Sequence, residues 1–144
     1  MMKIGVIYWS GTGNTEMMAN AIAEGVKAGG ADAEVMNVSE TTAEAALGYD
    51  ALALGCPAMG AEQLEESEFE PFFTELEPGL KGKNVALFGS HEWSEEGQWM
   101  DDWTERTLGD GANLCGGAGL KIFSTPDEEG LEKCRALGKA LVSM

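Results

Sequence analysis

The sequence is poor in basic residues. Nine lysines and arginines stand against 25 aspartates and glutamates, which gives a formal net charge of −16. Binding to nucleic acid or to an anionic membrane needs a cationic surface, so the composition argues against both. Protein partners are instead expected to carry basic patches, and such encounters are faster at low salt.

Cysteine, histidine and long apolar runs are also scarce. The three cysteines (Cys56, Cys115 and Cys134) form no C-x-x-C pair, and the one histidine completes no zinc spacing, so no metal site is predicted. We expect reduced thiols and a cytoplasmic location. No stretch approaches the ~20 apolar residues of a membrane span, and the N-terminus lacks the apolar core of a secretory signal.

Apolar segments of strand length alternate with helical patterns. We predict strands at 3–9, 33–38, 50–56, 83–89 and 112–123, and helices at 14–28, 42–47, 66–76, 97–108 and 127–142. Pro71 interrupts the third helix, which could begin there, and the G-G-A-G of 116–119 breaks the last strand. Apolar strands between helices indicate one α/β domain over 1–144, a doubly wound, five-stranded parallel sheet with helices on both faces.

Helical spacing also predicts which side chains face the core. These are Met18, Ile22, Val26, Phe69, Phe72, Phe73, Leu76, Met100, Trp103, Leu108, Leu131, Cys134, Leu137 and Leu141. In such a fold a ligand lies beyond the carboxyl ends of the strands. The loops after strands one, three and four are therefore the candidate site.

The loop after the first strand reads S-G-T-G-N-T over residues 10–15. Two glycines, three hydroxyls and an amide lie where a helix N-terminus offers free N–H groups, which together form an anion cradle. It has no lysine for a nucleotide-triphosphate loop, and Glu16 stands where a dinucleotide loop needs glycine. A capped helix is the simpler alternative. As the ligand of this loop we favour a phosphomonoester, bound as the dianion by neutral hydrogen-bond donors.

This motif, with the segments YWSGTGNTE, LGCPAMG, LEESEFEPF and VALFGS and a Trp-Met pair at 99–100, resembles the flavodoxins, in particular short-chain flavodoxins of anaerobic bacteria. The resemblance implies the flavodoxin-like strand order 2-1-3-4-5 and one non-covalently bound FMN. The residues implied to bind its phosphate are Ser10, Gly11, Thr12, Gly13, Asn14 and Thr15.

The resemblance also implies which residues contact the rest of FMN. They are Pro57, Ala58, Met59, Gly60, Glu62, Ser90, His91, Glu92, Trp93 and Ser124. Met59 is a polarisable platform for the ring, and the Gly60 carbonyl turns to accept the proton that N5 gains on one-electron reduction. Glu62 accepts from N3–H, and Trp93 stacks on the outer face. Trp9 either touches the ribityl chain or fills the core.

The loop after the fourth strand departs from the family pattern. His91 and Glu92 stand where tyrosine and glycine are common, and Ser94 replaces a glycine. Two interpretations of His91 follow. It is either a loop side chain facing solvent, or a group whose protonation near neutral pH tunes the flavin potential.

The function implied by the resemblance is a low-potential one-electron carrier that shuttles between semiquinone and hydroquinone as a ferredoxin substitute. Acidic residues around the flavin loops and a low-dielectric site would disfavour the anionic hydroquinone. The expected partners are ferredoxin-type reductases and oxidoreductases with basic patches, and the expected protein is a monomer without catalytic residues.

Other functions are less well supported. The main alternative is an FMN-dependent NAD(P)H or quinone oxidoreductase, which needs a substrate pocket over the flavin. A receiver domain needs acidic residues directly after the first strand, where Ser10 and Gly11 stand. A nucleophilic hydrolase has only His91 in its favour.

Overall fold

A parallel sheet with helices on both faces forms the framework of the protein. The computed structural model describes residues 2–59, 63–92 and 96–144. In these residues the strands are β1 (Lys3–Tyr8), β2 (Asp32–Asn37), β3 (Ala51–Gly55), β4 (Asn84–His91), β5 (Asn113–Leu114) and β6 (Leu120–Phe123). The α-helices are α1 (Asn14–Ala28), α2 (Ala43–Ala46), α3 (Phe69–Leu76), α4 (Gln98–Gly109) and α5 (Glu128–Val142). Within this described part, none of the helices has the length and apolar character needed to cross a membrane.

The strands are parallel and follow the order β2-β1-β3-β4-β5, with β6 also pairing with β4. The predicted fold class and strand order are therefore confirmed. The fifth strand position is filled by two short strands, because Gly116 and Gly117 adopt positive φ angles of 76° and 79° between them. The predicted break in the last strand is the turn that these glycines make.

Alternating side chains of the strands separate the core into two layers. Ile4 and Val6 of β1 belong to the layer under α1 and α5, whereas Ile7 belongs to the layer that contains α3 and α4. This division follows from the two-residue period of a strand. To the α1–α5 layer, β3 contributes the small residues Ala51 and Ala53, and β4 contributes Ala86 beside the larger Phe88.

The helices begin and end close to their predicted limits. Pro71 lies in the first turn of α3, where a missing N–H breaks no helical hydrogen bond, so the helix begins before the proline, at Phe69. The predicted core residues are buried, apart from Leu131 and Leu137, which pack against the core while partly exposed, and Leu108.

The prediction for Leu108 is wrong, because its side chain is 47% exposed. Leu108 lies five residues after Trp103, which is about 140° around the helix at 3.6 residues per turn. Thr104 and Thr107 occupy the buried face instead.

Helices α1 and α5 touch through their backbones at two glycines. A Cβ on Gly25 would lie 1.9 Å from the carbonyl oxygen of Arg135, and one on Gly138 would lie 2.2 Å from that of Ile22. No larger residue fits at either position without separating the helices. The apolar spacing of the two helices did not reveal this requirement.

An ion cluster joins α3 to α4. Arg106 donates to both carboxylate oxygens of Glu70 at 2.7 Å, donates to Glu77 at 2.6 and 3.1 Å, and lies 4.8 Å from the centre of the Phe73 ring. The hydrogen bonds from Arg106 hold the pKa values of the two glutamates below their ordinary value. The cluster therefore holds α3, the helix that follows β3, against α4.

We expect the Gly25→Ala substitution to lower the free energy of unfolding by about 1–3 kcal/mol, the usual cost of overpacking. Gly109→Ala is the matched control, because its added Cβ meets no atom within 4 Å. In the control we expect the free energy of unfolding to rise by about 0.5 kcal/mol, since alanine favours the helix more than glycine does. Urea denaturation of the three proteins measures both changes, and equal stabilities of the two variants would contradict the close helix contact.

Candidate functional site

The carboxyl ends of β1, β3 and β4 enclose one cleft. Pairing continues beyond the strands, since Trp9 N donates to Gly55 O and Ala58 N donates to Ser90 O, both at 3.0 Å. The cleft has a volume of about 210 Å³ and is lined by Trp9, Gly11, Thr12, Pro57, Ala58, Met59, Ser90, His91 and Glu92. Apart from Trp9, every residue of this lining was predicted to belong to the site.

Residues 10–13 form a turn that leads directly into α1, whose first two residues are Asn14 and Thr15. Gly13 is the N-cap residue with a φ of 97°, and as a glycine it offers no side chain to cap the helix. Ser10 Oγ accepts from Gly13 N at 3.1 Å and from Glu16 N at 3.4 Å. The Ser10 hydroxyl can still donate its own hydrogen outward. Thr12 is exposed at the rim of the cleft.

Asn14 and Thr15 point into the protein and join α1 to the end of β4. Both are buried. Thr15 Oγ1 lies 3.2 Å from Ser90 Oγ, and Asn14 Nδ2 lies 3.4 Å from Glu92 Oε1. These side chains therefore link the start of α1 to the end of β4, and the other donors of residues 10–13 are hydroxyls and backbone N–H groups.

Apolar groups form the second wall of the cleft. Ala58 is buried, while Pro57 and Met59 are half-buried. Met59 exchanges backbone hydrogen bonds with Gln63 at 2.9 and 3.0 Å, which holds it at the wall. Trp9 both lines the cleft and packs against the core, and its contact with the ribityl chain stays a prediction.

Several predicted site residues cannot be placed. Gly60, Glu62 and Trp93 lie outside the described residues, as does Ser94. The roles assigned to them by resemblance remain predictions.

His91 is not the solvent-facing loop residue that the simpler interpretation expected. It is the last residue of β4 and is 5% exposed. Its ring centre lies 5.2 Å from that of Trp99 and 5.3 Å from that of Phe123. The predicted strand ended at residue 89, but β6 pairs with β4 as far as His91. A contact with a segment about 30 residues later in the chain thus decides the burial of His91.

Ser124 lies next to this strand end and does not line the cleft. Its backbone N donates to His91 O at 2.7 Å, and its φ of 62° is unusual for a residue other than glycine. The structure therefore places Ser124 behind His91, where it holds the end of β4.

The loop after β3 is held from behind by buried groups. Trp99 Nε1 donates to Cys56 O at 3.0 Å. A Cβ on Gly89 would lie 2.2 Å from the same oxygen, so only glycine lets the ends of β3 and β4 come this close. Burial raises the pKa of the Cys56 thiol, which keeps it protonated.

Glu65 is a buried carboxylate whose role the sequence did not reveal. Its oxygens accept from the backbone N–H groups of Ser67, Glu68 and Phe69 at 2.7–2.9 Å, and from the Ser67 hydroxyl. Burial raises the pKa of Glu65, but these hydrogen bonds together outweigh burial and hold the pKa below the ordinary value of a glutamate. Glu65 thus caps the start of α3. The available signal in the sequence is an acidic residue four positions before the first apolar residue of α3.

The chain matches the family model described as flavodoxin over residues 6–138. It is 50% identical over 135 residues to a flavodoxin of Megasphaera elsdenii, covering 94% of this chain and 95% of the relative. It is 45% identical over 139 residues to a flavodoxin of Clostridium beijerinckii, covering 96% and 99%.

Solved structures show the same likeness. The solution structure of two-electron reduced Megasphaera elsdenii flavodoxin superposes with a TM-score of 0.87 at 47% identity, covering 98% of this chain and 99% of that one. A flavodoxin from the domain Archaea superposes with a TM-score of 0.88 at 28% identity, covering 99% and 97%.

We expect Glu65→Gln to lower the free energy of unfolding at pH 7 by about 1–2 kcal/mol, because an amide caps less strongly than a carboxylate. The folded pKa of Glu65 is lowered, so its contribution is complete above pH 4.5 and is lost as the pH falls through the folded value. The difference between the two proteins should therefore shrink in acid.

Glu66→Gln is the matched control, since Glu66 is the exposed neighbour. Urea denaturation across this pH range should show a small effect for the control, within about 0.5 kcal/mol. A pH-independent loss in Glu65→Gln would contradict the capping role of its charge.

Proposed function

The chain belongs to the flavodoxin family, whose members bind FMN and carry electrons, and from this premise we propose that its cleft holds one FMN, non-covalently, within a single domain over 1–144. The main observation behind the proposal is the segment at residues 10–15, in which Gly13 is the N-cap residue of α1. This segment borders an apolar cleft at the carboxyl edge of the sheet. Bound FMN supplies one-electron chemistry, and the protein supplies binding, orientation and the surrounding field.

The phosphate end of FMN fits the donors at the start of α1. The loop offers hydroxyls and backbone N–H groups, and the positive end of the helix dipole favours an anion there. No lysine or arginine lines the described cleft. Neutral donors are enough to hold the dianion of one phosphate group. A nucleotide triphosphate would in addition need a lysine and a metal ion.

The ring end of FMN fits the apolar wall. Trp9, Pro57 and Met59 present flat or polarisable surface to the cleft, and Ala58 leaves room for a ring beside them. We assign Gly60 as the N5 partner, Glu62 as the N3–H acceptor and Trp93 as the outer stacking residue by their match to the family motif. These three residues complete the proposed site.

We further propose that the protein is a low-potential carrier that takes the place of a ferredoxin and works between one-electron-reduced and fully reduced flavin. The net charge of −16 and the apolar cleft both disfavour an extra negative charge on the ring. The same charge favours redox partners with basic patches. We propose a cytoplasmic monomer that has no substrate reaction of its own.

Titration of the FMN-free protein with FMN tests the binding proposal. We expect one FMN per chain and a yellow protein. Stepwise anaerobic reduction should pass through a species with the long-wavelength band of a neutral one-electron-reduced flavin.

Failure to take up FMN would contradict the binding proposal, and direct two-electron bleaching would contradict the carrier. Rapid oxidation of NAD(P)H by the purified protein alone would favour an FMN-dependent oxidoreductase instead.

Thr12→Val tests the phosphate end separately. We expect FMN to bind about tenfold more weakly, the usual effect of losing one hydrogen bond to a charged group, while riboflavin binding stays within about twofold. Thr41→Val is the control, because Thr41 lies before α2 and its hydroxyl contacts only the neighbouring carbonyl among the described residues. Equal weakening of both flavins by Thr12→Val would argue that Thr12 binds another part of the ligand.

A further inference from the structure

The end of β4 brings a carboxylate onto the loop that opens α1. Glu92 follows His91 directly, lines the cleft and is exposed. Its Oε1 lies 3.4 Å from Nδ2 of Asn14, the first residue of α1. Asn14 is buried and Glu92 is exposed, so this contact joins a buried amide to an exposed carboxylate of the cleft lining.

Two other carboxylates near this loop accept hydrogen bonds from side chains outside residues 10–15. Glu16 accepts from the Tyr8 hydroxyl at 2.7 Å, and Glu68 accepts from Trp9 Nε1 at 3.4 Å. Among the described hydrogen bonds, the contact between Glu92 and Asn14 is therefore the one that places a carboxylate on residues 10–15. This loop is also the place where the helix dipole attracts an anion.

A phosphomonoester and a carboxylate at the same loop repel each other. The phosphate carries a charge of about −1.5 to −2 at pH 7. Repulsion between charges a few ångströms apart is reduced by water and by salt but is not abolished at low ionic strength. An unphosphorylated flavin is neutral and does not feel this repulsion.

We propose that Glu92 is a specificity-determining residue of the cleft, whose charge opposes the phosphate of the bound flavin and so reduces the preference for FMN over riboflavin. This inference rests on the proposed function, because it needs a flavin in the cleft. The contact with Asn14 holds the carboxylate at the phosphate end. Glu92 thus limits how tightly the neutral cradle retains its anion.

Glu92→Gln in the full chain tests this role. Glutamine keeps the size of the side chain and an oxygen that can accept from Asn14, but it removes the charge. We expect FMN to bind about three- to tenfold more tightly at low salt, with riboflavin changed by less than about twofold. At about 1 M salt, where the screening length is ~3 Å, the gain for FMN should largely disappear. Quenching of flavin fluorescence gives both dissociation constants.

Glu105→Gln is the matched control. Glu105 is exposed on α4 and is not part of the cleft lining, so its variant changes the net charge by the same amount. We expect its FMN affinity to stay within about twofold of the original chain. Thermal unfolding of the FMN-free proteins checks that both variants remain folded.

The outcomes separate this proposal from the proposed function. Equal tightening in both variants would assign the effect to net charge and overturn the role of Glu92. Unchanged FMN binding in Glu92→Gln would also overturn it, as would weaker binding of both flavins, which would instead make Glu92 a ligand of the sugar chain. In each of these results the chain still binds FMN. Only a chain that binds neither flavin overturns the proposed function itself.

Discussion

Parallel pairing along β4 is the constraint on which the rest of the structure depends. β4 pairs with β3 on one side and with both β5 and β6 on the other. Its end approaches the end of β3 so closely that Gly89 has no room for a side chain against the Cys56 carbonyl. Because parallel strands end at the same edge of the sheet, this pairing also carries residues 90–92 to the loop that opens α1.

Hydrogen bonds fix the groups behind the cleft, and polar groups lie at one end of it. Thr15 and Ser90 join α1 to β4, and the bond from Trp99 to Cys56 fixes the loop after β3. Glu65 caps the helix that follows this loop. A site held in this way needs little ordering when a flat ligand enters, so less of the binding free energy is spent on conformational entropy.

Local and global electrostatics act in opposite directions in this molecule. The start of α1 attracts an anion through its first backbone N–H groups and the helix dipole. The remainder of the chain, with its net charge of −16, repels negative charge. The local attraction supports the proposal of a phosphate site without a cation, and the global repulsion supports the proposal of a low-potential carrier.

The sequence alone determined the order of strands and helices and the loops that form the cleft. Apolar periodicity and the S-G-T-G-N-T segment are local features, and residues 10–15 and 57–59 follow β1 and β3 as they predicted. Only the tertiary structure decided the burial of His91, the exposure of Leu108 and the backbone contact at Gly25. The reason is physical, because the environment of each of these residues depends on which other element packs against its strand or its side of the helix. His91 is buried because β6 pairs with it, and Gly25 must be glycine because α5 lies against α1.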